Sequence, residues 1–144
     1  MSEATIFERI VDGEIPARIV HETETTLAFL DANPLAPGHT LVIPKEPYPR
    51  LRDCPPGLTA DVFAAVRELA PAIEDTVDAD ATNIGINDGP EAGQEVPHLH
   101  VHIIPRFEGD GGGLIHMVAG ERPELSDDDL DTIADDIQRA ASDA

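Results

Sequence analysis

Between residues 98 and 105 the chain reads His-Leu-His-Val-His-Ile-Ile-Pro, so histidine alternates with an aliphatic residue. A period of two is typical of a β-strand, whose successive side chains point to opposite faces of the sheet. We therefore predict a strand over residues 98–104. Three aliphatic residues would face a covering helix: Leu99, Val101 and Ile103. Three histidines would share the other face, about 6.5 to 7 Å apart from one to the next: His98, His100 and His102.

The rest of the sequence predicts an α+β fold. Apolar runs bounded by turn residues indicate further strands at 18–21, 26–30, 39–43 and 82–87. Apolar residues at every third or fourth position predict a long helix that Thr59 caps and that runs to about Val77, with a kink at Pro71. Short helices are predicted at 5–11 and from Ser126 onward. We expect an antiparallel sheet of about five strands with the long helix packed on it.

The chain is predicted to be one domain over residues 1–144, with a Gly-rich mobile loop and a helical tail at 108–144, since no repeat or linker divides it. It holds no run of about 18 apolar residues and no signal-peptide pattern, so we expect no membrane partner and a cytoplasmic location. Its single cysteine, Cys54, excludes an internal disulfide and a Cys-x-x-Cys metal site.

The charge balance is strongly acidic. There are 29 acidic residues against 9 basic ones, a net charge of −20, and Lys45 is the only lysine. Such a surface repels nucleic acid and anionic membranes. Acidity and lysine loss together favour a protein adapted to a very salty (halophilic) cytosol, where self-repulsion is screened; the alternative is an acidic protein of an ordinary cell.

Three histidines on one sheet face cost folding free energy unless their ring nitrogens have hydrogen-bond partners or ligands. Two chemical interpretations supply such partners. One is a metal site. His98 and His102 would lie about 13 Å apart on a straight strand, so a third ligand would have to be a residue such as His39, Asp31 or His116. The other is nucleophilic attack on phosphorus by a neutral imidazole, with one nitrogen free and the other N–H held by an acceptor. The preceding loop, residues 87–95, supports the second interpretation, because Gly93 lets backbone N–H groups approach a phosphate.

Several spaced segments, read together, match a known pattern. They are the alternating segment 98–104, residues 6–17, 27–31, 37–45 and 92–94, Asn87, and Pro105 with Arg106. In this combination the chain resembles the histidine-triad (HIT) family over roughly residues 5 to 107.

The resemblance implies a homodimer that hydrolyses or transfers at the α-phosphate of an AMP-containing purine nucleotide. A nucleotidyl-histidine intermediate would form, with neither metal nor cofactor. His100 would be the nucleophile, His98 and His102 would orient it and contact phosphate, and His39 would be the fourth histidine. Asp31 would hold the ribose hydroxyls. The phosphate loop would include Asn87, Gly93, Gln94 and Glu95, and the base pocket Phe7, Ile10, Phe29 and Leu30.

Two departures from the family pattern bear on the substrate, which we expect to be an adenosine phosphoramidate or a dinucleoside polyphosphate. Glu95 stands where several branches carry the serine or threonine that protonates the leaving group. Pro47 stands where a histidine is frequent. The uridylyltransferase branch is disfavoured, because Val101 stands where that branch has proline. A metal-dependent phosphohydrolase and a non-catalytic nucleotide-binding or interaction protein are the alternatives.

Overall fold

The computed structural model describes residues 3–143. Its strands are β1 (Ile19–Glu22), β2 (Thr26–Leu30), β3 (Thr40–Pro44), β4 (Ala81–Gly85) and β5 (Val101–Arg106). They form one sheet in the order β1-β2-β3-β5-β4, and every neighbouring pair is antiparallel. The predicted α+β class with a five-stranded antiparallel sheet is confirmed. β5 contains the last part of the alternating segment and lies inside the sheet, between β3 and β4.

The alternating segment enters the sheet later than its sequence predicts. β5 begins at Val101, which pairs with Val42 of β3. Two earlier peptide groups are already engaged elsewhere: the Leu99 N–H donates to the Tyr48 carbonyl (2.7 Å), and the His98 carbonyl accepts from His100 Nδ1 (2.7 Å). The predicted strand 98–104 is therefore wrong in its first three residues, because a loop and a side chain take these backbone groups.

The described helices are α1 (Ile6–Val11), α2 (Pro56–Val77) and α3 (Asp127–Ser142). α2 ends where its periodicity predicts, but it begins at Pro56, so the predicted cap at Thr59 is wrong. Proline suits the first turn of a helix, because it has no N–H to leave unpaired there. The Thr59 hydroxyl instead donates back to the Pro55 carbonyl (3.0 Å), and the helix continues through Pro71.

Two apolar clusters cover the two faces of the sheet. On one face β2, β3 and β5 pack against the buried stripe of α2, which consists of Val62, Ala65, Val66, Leu69 and Ile73. On the other face Phe7 and Ile10 of α1 pack against alternate residues of β2 and β3. Val101 and Ile103 belong to the α2 cluster, as predicted. His102, which lies between them in sequence, therefore points to the α1 face, where Phe7 also contacts His98 and His100.

The chain divides into two compact units, one up to Gly112 and one from Gly113. The first contains the sheet, α1 and α2. The second contains a short 3-10 turn (Ile115–Met117) and α3, which begins directly after Ser126, as predicted, and the structure shows a capping box between Ser126 and Asp129. That all 144 residues form one domain stays a prediction. No helix among residues 3–143 is long and apolar enough to cross a membrane.

Candidate active site

His100 has one ring nitrogen held and the other free. Its ring is 8% exposed and lies directly before β5. A carbonyl only accepts hydrogen bonds, so the 2.7 Å contact between His100 Nδ1 and the His98 carbonyl places a proton on Nδ1. Within residues 3–143 its Nε2 has no hydrogen-bond partner. The neutral ring then carries a lone pair on Nε2, which is the requirement for a nucleophile.

His98 is fully buried and both of its nitrogens are occupied. Its Nε2–H donates to the Pro44 carbonyl (2.8 Å), so its Nδ1 accepts from the Thr5 hydroxyl (3.0 Å). Burial lowers the pKa of His98, although the Pro44 hydrogen bond opposes this. Two roles were expected for His98. Orienting His100 fits this geometry, whereas contact with phosphate does not, because the His98 ring has no free nitrogen.

Thr5 is a site residue that the sequence analysis missed. Its hydroxyl accepts from the Glu8 N–H (3.0 Å) as the N-cap of α1, and the Glu8 carboxylate accepts from the Thr5 N–H (3.0 Å). The same hydroxyl donates to His98 Nδ1. The spacing Thr-x-x-Glu is a capping-box signature and could have located the cap, but only the folded chain brings it to His98.

His39 and His102 form a hydrogen-bonded pair. The Leu35 N–H donates to His39 Nδ1 (3.1 Å), and His39 Nε2 lies 3.0 Å from His102 Nδ1. His102 Nε2 is buried and has no hydrogen-bond partner among the described residues. Burial and the neighbouring His100 and His39 lower the pKa of His102 to about 4, so it is neutral at pH 7. Burial also lowers the pKa of His39, against the opposing effect of Asp31.

Asp31 follows the end of β2, and its carboxylate borders this pair. Its Oδ2 lies 3.6 Å from His39 Nε2, and its Oδ1 accepts from the Asn33 N–H (2.8 Å). One potential ligand atom each from Asp31, His39 and His102 lies within 4.8 Å of the others, which is close enough to share a metal ion. However, a backbone donor on Nδ1 keeps the proton of neutral His39 on Nε2, and a protonated nitrogen cannot be a ligand. The geometry favours a hydrogen-bond chain.

The loop at residues 87–95 is held by Gln94. The side-chain oxygen of Gln94 accepts from the Gly89 N–H (2.9 Å), and its nitrogen donates to the carbonyls of Pro49 (2.6 Å) and Val96 (3.1 Å). Gly93 has φ +97°, which L side chains rarely adopt. Gln94 therefore shapes the loop with its whole amide group. Three other predicted loop residues are exposed: Asn87, Gly93 and Glu95.

An arginine–aspartate pair that the sequence analysis also missed anchors the beginning of this loop. Asp88 accepts from the Leu51 N–H (3.0 Å), and its carboxylate lies 3.5 Å from Arg50. The Leu51 hydrogen bond, helped by the Arg50 guanidinium, holds the pKa of Asp88 below its usual value. Both residues are common in loops, and no local pattern marks them as partners.

The residues predicted to form a base pocket lie next to the histidines, and most of them are core residues. Phe7, Ile10 and Phe29 are buried in the α1 cluster, whereas Leu30 is partly exposed beside Asp31. The Phe7 ring contacts His100 edge to face, with centroids 5.0 Å apart, and lies 5.7 Å from His98. Phe7 therefore supplies apolar support to His98 and His100, and Phe29 packs against Phe7 with ring centroids 5.5 Å apart.

Comparisons with known proteins identify the family of the chain. Residues 12–109 match the model of the HIT domain family. A Schizosaccharomyces pombe bis(5'-nucleosyl)-tetraphosphatase (asymmetrical) is 46% identical over 67% of this chain and 53% of the relative. An Arabidopsis thaliana adenylylsulfatase is 41% identical over 73% of this chain and 53% of the relative, so the chain spans about half the length of each. The crystal structure of a HIT family member from Bacillus subtilis superposes with a TM-score of 0.84 at 38% identity, covering 95% of this chain and 96% of that one. The chain belongs to the HIT domain family.

Proposed function

We propose that this protein hydrolyses or transfers at the α-phosphate of an AMP-containing nucleotide, through a nucleotidyl-His100 intermediate. The observation that carries the proposal is the state of the His100 ring. Its Nδ1 proton is held by the His98 carbonyl, and its Nε2 has no partner among residues 3–143. A neutral imidazole with a free nitrogen is a good nucleophile near pH 7.

In the first step the Nε2 lone pair of His100 forms a bond to the α-phosphorus, and the bond from phosphorus to the leaving group breaks. The ring becomes cationic, and its Nδ1–H bond to the His98 carbonyl stabilises that charge. His102 is buried beside His100, with ring centroids 5.1 Å apart, and its unpartnered Nε2–H is a donor for a phosphoryl oxygen.

In the second step water, or another acceptor in a transfer reaction, attacks the same phosphorus, and the bond to His100 Nε2 breaks. The attacking water gives its proton to the Glu95 carboxylate or to solvent water, which restores the proton that the leaving group took in the first step; a nucleoside monophosphate is released, and His100 returns to its neutral state. The leaving group of the first step takes its proton from Glu95 or from water, since Glu95 is exposed and stands at the edge of the phosphate loop.

The surrounding residues support binding of a nucleotide. The Asp31 carboxylate is partly exposed and is a suitable acceptor for the two ribose hydroxyls. The phosphate loop that Gln94 shapes would supply backbone donors, Asn87 and Gly93. Leu30 and the edge of the Phe7 cluster would contact the base. The names of the two relatives point to dinucleoside polyphosphates and adenylyl sulfate as substrate classes to test, beside the adenosine phosphoramidates that the sequence predicts.

Intact-protein mass spectrometry after rapid mixing with a panel of nucleotides tests the proposal. We expect an added nucleotidyl mass on the wild-type protein and none on His100→Ala. His116→Ala is the matched control, since this histidine lies outside the alternating segment, and it should keep the adduct. The adduct should persist with a chelator present. Turnover that continues in His100→Ala, or that stops with the chelator, contradicts the proposal, and the latter result favours a metal-dependent phosphohydrolase.

We also propose that two copies form a homodimer. The apolar face of α3 is exposed in the single chain, at Leu130, Ile133 and Ile137. A second copy could cover such a face, since contiguous apolar surface favours association. Light scattering coupled to gel filtration should give twice the chain mass of 15.4 kDa, and a monomer would contradict this proposal.

A further inference from the structure

We infer that the backbone amide of Leu35 sets the tautomers of two histidines in series, His39 and then His102. It thereby determines which nitrogen of His102 carries its proton toward the substrate. Leu35 lies in the loop between β2 and β3. None of the site roles that the family resemblance implies is assigned to it. Its side chain is 76% exposed, so the contribution comes from the peptide N–H.

The tautomer of His39, the first of the two histidines, is set by a group that can only donate a hydrogen bond. A backbone N–H donates and never accepts, and the Leu35 N–H lies 3.1 Å from His39 Nδ1. That nitrogen must therefore present a lone pair. A neutral imidazole carries one proton, so the proton of His39 is on Nε2.

The second step depends on which acceptor receives that proton. His39 Nε2 lies 3.0 Å from His102 Nδ1 and 3.6 Å from Asp31 Oδ2. The first distance is a normal N–H···N hydrogen bond and the second exceeds hydrogen-bonding range. His102 Nδ1 is therefore the acceptor, and the single proton of neutral His102 is on Nε2. This is the buried nitrogen that has no hydrogen-bond partner in the described part of the chain.

Two backbone hydrogen bonds hold the Leu35 amide in place. The Asp31 N–H donates to the His39 carbonyl (2.9 Å), and the His39 N–H donates to the Ala36 carbonyl (3.1 Å), so the loop is closed around Leu35. An amide in a closed loop is a rigid donor, whereas a side-chain hydroxyl could rotate and accept. The arrangement leaves His102 as a hydrogen-bond donor at its Nε2. An N–H at this position suits a phosphoryl oxygen, which accepts hydrogen bonds.

The tautomer assignment stands on the geometry alone, and only its consequence for turnover rests on the proposed function. Nuclear magnetic resonance of wild-type protein labelled with ¹⁵N-histidine reads both tautomers directly at neutral pH. We expect His39 and His102 each to carry the proton on Nε2. A proton on Nδ1 of either ring overturns the inference, even if the enzyme is active. The expected tautomers without turnover of any nucleotide would leave this inference intact and contradict the proposed function.

A pair of substitutions isolates the amide. Both Leu35→Pro and Leu35→Ala remove the exposed side chain, but only proline also removes the N–H. We expect Leu35→Ala to keep the wild-type tautomers and Leu35→Pro to populate the Nδ1–H form of His39. The kcat of Leu35→Pro should be about 2- to 10-fold below that of Leu35→Ala, the value of one hydrogen bond. Unchanged Asp31 and His39 amide shifts verify the loop. Equal tautomers in the two variants with an intact loop refute the inference, and if proline disrupts the loop the wild-type spectrum decides.

Discussion

Replacing Thr5 with alanine removes one hydroxyl that makes two hydrogen bonds of different kinds. The first caps α1, where Thr5 Oγ1 accepts from the Glu8 N–H (3.0 Å). The second holds His98 Nδ1, also at 3.0 Å. His98 is fully buried and its other nitrogen is bonded to the Pro44 carbonyl, so its ring cannot turn to find a new partner without losing that bond.

The two losses add to a large destabilisation for a single hydroxyl. Loss of an N-cap costs about 0.5 to 2 kcal/mol. A buried nitrogen left without a partner costs about 1 to 3 kcal/mol more. We therefore expect Thr5→Ala to lower the free energy of unfolding by about 1.5 to 5 kcal/mol. Thr5→Ser keeps the hydroxyl and should lose little.

Urea denaturation, followed by circular dichroism, measures these differences. Glu8→Ala is the matched comparison, because it removes the reciprocal half of the capping box and leaves the Thr5 hydroxyl on His98. The Thr5→Ala loss should exceed the Glu8→Ala loss by about 1 kcal/mol or more. Equal losses in the two variants would refute the reasoning, since they would show that the bond to His98 contributes nothing.

Three further predictions concern acid, packing and salt. The folded pKa of His102, about 4, lies below its ordinary value of 6.5, so the unfolded chain binds the proton more strongly and acidification destabilises the fold. His102 alone should contribute about 1.4 kcal/mol to the stability lost between pH 8 and pH 5.5 in urea denaturation, so His102→Gln should lose less over this range than the wild type, and equal losses would contradict this. Gly38→Ala should cost about 1 to 3 kcal/mol in the same assay, because φ is +88° and a Cβ would meet Val77 Cγ1 at 3.0 Å; a neutral effect would contradict the packing. If the charge of −20 is an adaptation to salt, Tm should rise markedly from about 0.1 M to about 3 M KCl, and an unchanged Tm would reject it.

The sheet and its faces could be predicted from the sequence because strand periodicity is a local property. The alternation through Val101 and Ile103 predicted which residues face α2, and the structure agrees. The boundaries failed where non-local contacts decide them. β5 begins late because Tyr48, far away in sequence, accepts from the Leu99 N–H. α2 begins early because Pro56 needs no hydroxyl cap, and Thr59 only resembled one.

The sequence predicted which residues meet at the site better than it predicted their hydrogen bonds and protonation states. The sequence brought His39, Asp31 and the three clustered histidines into one hypothesis, and the structure places His39, Asp31 and His102 within 4.8 Å of one another. It could not assign protons. Which nitrogen is protonated depends on Leu35, Thr5 and Pro44, whose relevant groups are backbone atoms or a single hydroxyl. Such partners have no sequence signature until the fold sets their distances.

Three side chains of one residue type therefore have three different sets of hydrogen-bond partners: His98 and His102 carry the proton on Nε2, whereas His100 carries it on Nδ1. His98 meets a carbonyl and a hydroxyl, which occupy both nitrogens and make it a fixed support. His100 meets one carbonyl, which leaves it a lone pair on Nε2. His102 meets a donor from His39, which leaves it a proton on Nε2. A lone pair and an N–H from adjacent rings suit attack on phosphorus and contact with its oxygens, respectively. The alternation in sequence brings the rings together, and the hydrogen bonds from neighbouring backbone groups determine which nitrogen of each ring carries the proton.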